Sequence, residues 1–108
     1  MIIYNVTCKI DASREDEWVK WMREKHIPEV CAAGCFSGAI MMKLKFPPED
    51  EGVTYAIQYR CTSMEILDHY LSEYAQALQL DHILKFGEDV VAFRTILETA
   101  GEYAPVKK

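Results

Sequence analysis

Four stretches of this chain alternate in side-chain character with a period of two, and two helical stretches fall between them; that order constrains the fold more than any other feature. Ile2 to Ile10 puts Tyr4, Val6, Cys8 and Ile10 on one side and Ile3, Asn5, Thr7 and Lys9 on the other, as a half-buried strand does. Phe36 to Phe46 sets Phe36, Ile40, Met42, Leu44 and Phe46 against Ser37, Met41, Lys43 and Lys45. Val53 to Cys61 sets Tyr55, Ile57, Tyr59 and Cys61 against Thr54, Ala56, Gln58 and Arg60. Asp89 to Glu98 sets Val91, Phe93, Thr95 and Leu97 against Val90, Ala92, Arg94 and Ile96.

The first helical stretch follows Asp11-Ala12-Ser13, with Ser13 as its N-cap and Glu15, Asp16 and Glu17 in the positive first turn. Trp18, Met22, His26 and Val30 recur at steps of four. Pro28 lacks a backbone donor and predicts a break or kink near His26-Ile27, with Pro28 opening a short second segment that Gly34 closes. Thr62-x-x-Glu65 has the form of a capping box for the second stretch. That stretch carries Ile66, Leu67, Tyr70, Leu71, Tyr74 and Leu78 and runs on through His82 and Phe86 to Gly87. Pro47 and Pro48, the acidic run Glu49-Asp50-Glu51 and Gly52 read as a solvated loop, and residues 101–108 as a frayed tail.

The order β-α-β-β-α-β predicts an α+β, ferredoxin-like domain over residues 1–100, with a four-stranded antiparallel sheet covered on one face. One set of strand faces supplies the helix-covered core. The opposite set, read as Asn5, Thr7, Lys9, Met41, Lys43, Gln58, Arg60, Arg94 and Ile96, is too apolar for plain solvent surface and too polar for a dry core. Packing against a second sheet accounts for it, so the expectation is a homodimer that closes an α/β barrel. A chain of 108 residues also gains burial by pairing.

Composition narrows the partners. The net charge is −5, with 17 acidic against 12 basic residues, and the basic residues are scattered, which disfavours nucleic acid. No run approaches the roughly 18 apolar residues of a membrane span, and no secretory leader is recognisable, so a cytoplasmic protein that does not bind membranes is the expectation. Cys31 and Cys35 have a spacing that could ligate zinc. Cys8 and Cys61 fall about six residues out of register on paired strands, roughly 20 Å apart at strand rise, so buried, inert thiols are expected and no metal.

Several strings carry a family resemblance: His26-Ile27-Pro28-Glu29-Val30, Thr54-Tyr55-Ala56-Ile57-Gln58-Tyr59, His82 followed by Phe86-Gly87, and Ala92-Phe93-Arg94-Thr95. From Met1 to about Leu97 the chain resembles a family of short bacterial proteins of unknown function in the dimeric α/β-barrel superfamily. That superfamily includes cofactor-independent monooxygenases, muconolactone-isomerase-like enzymes, haem-degrading enzymes and stress-responsive proteins, so the resemblance implies the fold and selects no reaction.

His26, Glu29 and His82 are the candidates for acid–base chemistry. His26 shares a helical stripe with Trp18 and Met22, Glu29 lies beside it, and His82 shares a stripe with Leu78 and Phe86. Each also has a purely structural reading at a helix end. Tyr55, Tyr59 and Tyr70 are candidates for the walls of a ligand pocket or for core. Gln58 and Arg94 are expected to face the dimer interior in a polar network or around an anion. Two readings follow: a non-enzymatic homodimer, regulatory or weakly binding a small molecule, with a filled helix–sheet interface, and a cofactor-independent enzyme acting on a small aromatic or unsaturated substrate. The enzyme reading calls for a helix–sheet cavity of about 300 Å³ or more with a histidine exposed inside it. No cofactor is expected in either.

Overall fold

The computed structural model describes residues 1–106, and Lys107 and Lys108 of the expected frayed tail lie outside the described residues. The four strands are β1 (Ile2–Ile10), β2 (Gly38–Lys43), β3 (Val53–Cys61) and β4 (Val90–Glu98), in the spatial order β2-β3-β1-β4 with every neighbour antiparallel. Between β1 and β2 lie α1 (Glu15–Trp21), a π-turn (Met22–His26) and α2 (Ile27–Ala32). Between β3 and β4 lie α3 (Met64–Glu73) and α4 (Ala75–Phe86), which bend at Tyr74. This is the ferredoxin-like α+β arrangement, an open sheet with its helices on one face. Among the described residues no helix is long and apolar enough to cross a membrane.

Local chemistry places the boundaries. The first cap is Asp11 rather than Ser13: its Oδ1 accepts from the Ser13 amide at 3.0 Å and from the Ser13 hydroxyl at 2.7 Å. A short 3₁₀ turn (Ala12–Arg14) therefore precedes α1. Before α3 the cap is Ser63, in extended backbone, whose Oγ accepts from the Ile66 amide at 3.3 Å. Thr62 stands one residue too early for the expected capping box.

The first helical arm is interrupted where Pro28 predicts: the π-turn ends at His26, and Pro28 stands in the first turn of the short α2. The Ile27 amide donates to the Met22 carbonyl five residues back, which widens the preceding turn so that the helix passes a residue with no donor. Gly34, at φ +82°, ends it.

The core lies between the helices and the central strands. Trp18, Met22 and Val30 descend from the first helical arm and Leu67, Tyr70 and Phe86 from the second, onto Tyr4, Cys8, Ile57 and Tyr59. Each such side chain contributes about 1.5–3 kcal/mol on burial. In β1 and β3 the faces are as the alternation predicts, with Tyr4 opposite Tyr59 and Cys8 opposite Tyr55.

The two edge strands are the other way round. Met41 pairs with Ile57 and Lys43 with Tyr55, so Ala39, Met41 and Lys43 lie on the helix side while Ile40 and Met42 face the open side. Arg94 pairs with Val6 and Ile96 with Tyr4, so Arg94 and Ile96 are on the helix side and Val91, Phe93 and Leu97 on the open one. Alternation finds the two faces of a strand, but it cannot say which is helix-covered when both carry apolar residues.

Gly52 closes the β2–β3 loop at φ +68°, and a Cβ there would stand 2.8 Å from the Ile10 carbonyl oxygen. Gly34 has a similar φ but open space around it. Gly52→Ala is expected to lower stability by about 1–3 kcal/mol, more than Gly34→Ala, because it adds a backbone clash to the left-handed strain. Urea denaturation of the two variants checks the order.

Candidate functional site

The π-turn and α4 bring His26 and His82 side by side, with ring centroids 5.4 Å apart. Trp21 stacks on both, at 5.0 Å from His26 and 5.5 Å from His82, and the edge of Phe86 closes the group. The indole Nε1–H of Trp18 donates to His82 Nε2 at 2.9 Å. An indole nitrogen can only donate, so His82 Nε2 carries the lone pair and its proton sits on Nδ1. His26 Nδ1 is fully buried and has no hydrogen-bond partner among the described residues.

Both imidazoles are held neutral at pH 7. Burial pushes His26 down to about 4, with further depression from the neighbouring His82. Burial does the same to His82, to about 4, and the Arg94 guanidinium adds to it. Cys8, beneath them, is pushed up to about 12 by burial, an unreactive thiol.

Two neighbouring spaces adjoin the histidines. A narrow chamber of about 20 Å³ lies among Tyr4, Cys8, Met22, His26, Tyr59 and Tyr70, room for one water. A cleft of about 200 Å³ lies between α4 and β4, with Ile83, Val90 and Ala92 as apolar walls. Gln79, His82 and Arg94 line both. The cleft falls short of the 300 Å³ that the enzyme reading calls for. Larger hollows of about 390, 490 and 570 Å³ lie elsewhere on the surface and contain no histidine.

The remaining predicted residues separate. Glu29 is half-buried, ion-paired with Lys25 at 2.6 Å, and lines neither space. Tyr59 and Tyr70 are buried with Tyr4 and Phe36 in an aromatic cluster, and burial raises both phenols. They wall the small chamber only. Tyr55 is drawn off to Glu15, donating to its Oε2 at 2.6 Å, and Glu15 is itself paired with Lys43 at 2.8 Å.

Gln58 is on the open face opposite Asn5. Arg94 is not there with it: the β1–β4 register turns Arg94 to the helix side, where it lines the cleft. Among the described residues no three metal-ligating side chains are grouped to hold an ion. Sequence reading passed over Tyr4, Gln79 and Ala92. Gln79 alone carried a signal, one helical turn ahead of His82.

With this geometry in hand, comparison supplies the family. A family model described as a domain of unknown function, DUF4286, matches residues 1–100. The chain belongs to the DUF4286 family. No curated protein matches it in sequence.

Among solved structures, a dimeric ferredoxin-like protein from an uncultured marine organism aligns with a TM-score of 0.74 at 6% identity, over 94% of this chain and 97% of that one. HapK from Hahella chejuensis aligns at 0.67 and 9% identity, over 99% and 100%. An EthD family protein from Bacillus halodurans aligns at 0.65 and 11% identity, over 92% and 99%. Identities this low establish the shared ferredoxin-like fold alone.

The depressed histidines make stability depend on pH. An unfolded chain takes up protons on both imidazoles below about pH 6.5, whereas the folded chain resists until about pH 4, so stability is full above pH 6.5 and falls with acidification. From pH 7.5 to 5.0 each histidine is expected to cost about 2 kcal/mol. Urea denaturation at the two pH values checks this, and the loss should be about half as large in His26→Gln.

Proposed function

We propose that this protein is a homodimer whose subunits each bind a small organic molecule in the cleft between α4 and β4. The observation that carries the binding reading is the cleft itself: apolar walls with three converging polar groups, Gln79, His82 and Arg94, on one side. The same three groups reach the chamber beside the unsatisfied His26 nitrogen. We favour binding over catalysis because one His82 nitrogen is already held by Trp18 and His26 borders a space of only about 20 Å³.

The dimer reading is supported by the open face. Ile40 and Met42 on β2 with Leu44 just beyond it, and Val91, Phe93 and Leu97 along β4, leave two apolar rails exposed, Phe93 by 60%. Between them runs a polar strip in which Asn5 donates to Thr7 at 3.1 Å and Thr95 at 3.2 Å, with Gln58 opposite Asn5. A second copy laid over this face covers the rails and encloses the strip. Two structural neighbours are described as dimeric.

Sedimentation equilibrium at micromolar concentration is expected to return twice the 12.4 kDa of one chain, and Phe93→Asp to return a single chain. A wild-type monomer would overturn the assembly. For the cleft, a thermal-shift panel of small ring compounds should contain stabilisers of the native dimer. Ala92→Phe, which fills the cleft, should abolish their effect without dissociating the dimer; stabilisation that persists in this variant would place the ligand elsewhere.

A further inference from the structure

We infer that the ligand of the α4–β4 cleft is a monocarboxylate with a flat apolar body no larger than a single substituted ring; this rests on the binding role proposed above. Three observations converge on it. The first is charge. Among the described residues neither the cleft nor the chamber is lined by an Asp or Glu, and Arg94 is the only charged side chain on either. Among the described residues Arg94 makes no ion pair. Its field reaches Tyr4, Cys8, His26, Tyr70 and His82, none of which is negative. Arg94 and Gln79 reach the Tyr4 hydroxyl, but that partner is neutral; the guanidinium's charge is left to solvent or a ligand, and its planar donor fork matches a carboxylate.

The second observation is donor count. Trp18 occupies His82 Nε2, so the nitrogen left to a ligand is a donor. Arg94 offers donors alone. Of the three polar groups on the cleft only Gln79 can accept, through its amide oxygen. Such a wall suits a group that accepts at every position. A carboxylate does so; a carboxamide of the same shape turns an N–H₂ toward donors and loses on each such contact.

The third observation is size. A dry cavity of about 150 Å³ holds benzene, so about 200 Å³ holds one ring with its carboxylate. Ile83, Val90 and Ala92 supply the faces on which the ring would lie.

Benzoate and benzamide are isosteric probes for this class. Titration of the isotope-labelled dimer at pH 7 and 0.15 M salt, followed by amide and side-chain shifts at Gln79, His82 and Ala92, should give benzoate a Kd at least tenfold below that of benzamide. Arg94→Gln should erase the preference, and Arg94→Lys should restore part of it. Arg94 is exposed at the rim, so both variants are expected to fold, and far-UV circular dichroism checks that they do.

Equal affinities, a benzamide preference, or a benzoate preference that survives Arg94→Gln would overturn the carboxylate class while leaving a binding cleft in place. If no ring compound of either kind moves these signals, the cleft reading fails and the carboxylate inference falls with it.

Discussion

The hydrogen bond from Trp18 to His82 holds the rest of the site in position. It joins the first helical arm to the second across 64 residues of chain, in the buried layer over the sheet. Its direction is fixed, because the indole has a proton to give and nothing to accept, so one bond sets both the tautomer of His82 and the side from which it can be approached. Trp21 then stacks on both imidazoles, and Arg94 faces the group from the sheet side. A charged His82 would lose its acceptor and set a second positive charge near Arg94. Burial, tautomer and neighbouring charge all favour the neutral ring.

The sheet divides the molecule into two chemically different halves. On the helix side the core is aromatic, and the cleft that adjoins His82 lies at the β4 edge. On the open side the large apolar residues sit on the outer strands and the amides and hydroxyls on the inner ones. That distribution inverts the usual plan, in which apolar residues gather at the centre of a sheet face. It suits a face that meets another of its kind around a hydrated middle.

Much of this was legible in the alternation. β3 has the limits read from the sequence, β4 begins one residue later than expected, and β1 fills the whole of its alternating run. The helical stripes brought His26 and His82 inward, because residues a single step of four apart lie close to one face of a helix. What could not be read was the handedness of the edge strands. β2 and β4 carry apolar side chains on both faces, so only the register with β1 and β3 decides which face the helices cover. Arg94 was therefore assigned to the wrong side of the sheet, and the cleft it borders went unseen. Tyr55 shares a strand face with Tyr59, beneath Tyr70 of the covering helix, yet Glu15 holds it away from the histidines. That contact spans forty residues and leaves no mark in local pattern.

The π-turn gives a different meaning to the spacing of Trp18, Met22, His26 and Val30. In a regular helix of 3.6 residues per turn, each step of four overshoots by about 40°, so the four residues would wind about 120° around the axis. Trp18 and Val30 could not then both point into one core. The wider turn between Met22 and His26 takes back that accumulated rotation, and Trp18, Met22 and Val30 are all buried. The helix is in effect phased to a four-residue repeat by one extra residue. Shortening it by that residue would leave the composition almost unchanged and rotate everything beyond the turn by about 100°. The unbroken spacing of four, which looks like an ordinary amphipathic stripe, is itself the trace of the irregularity that sets His26 beside His82.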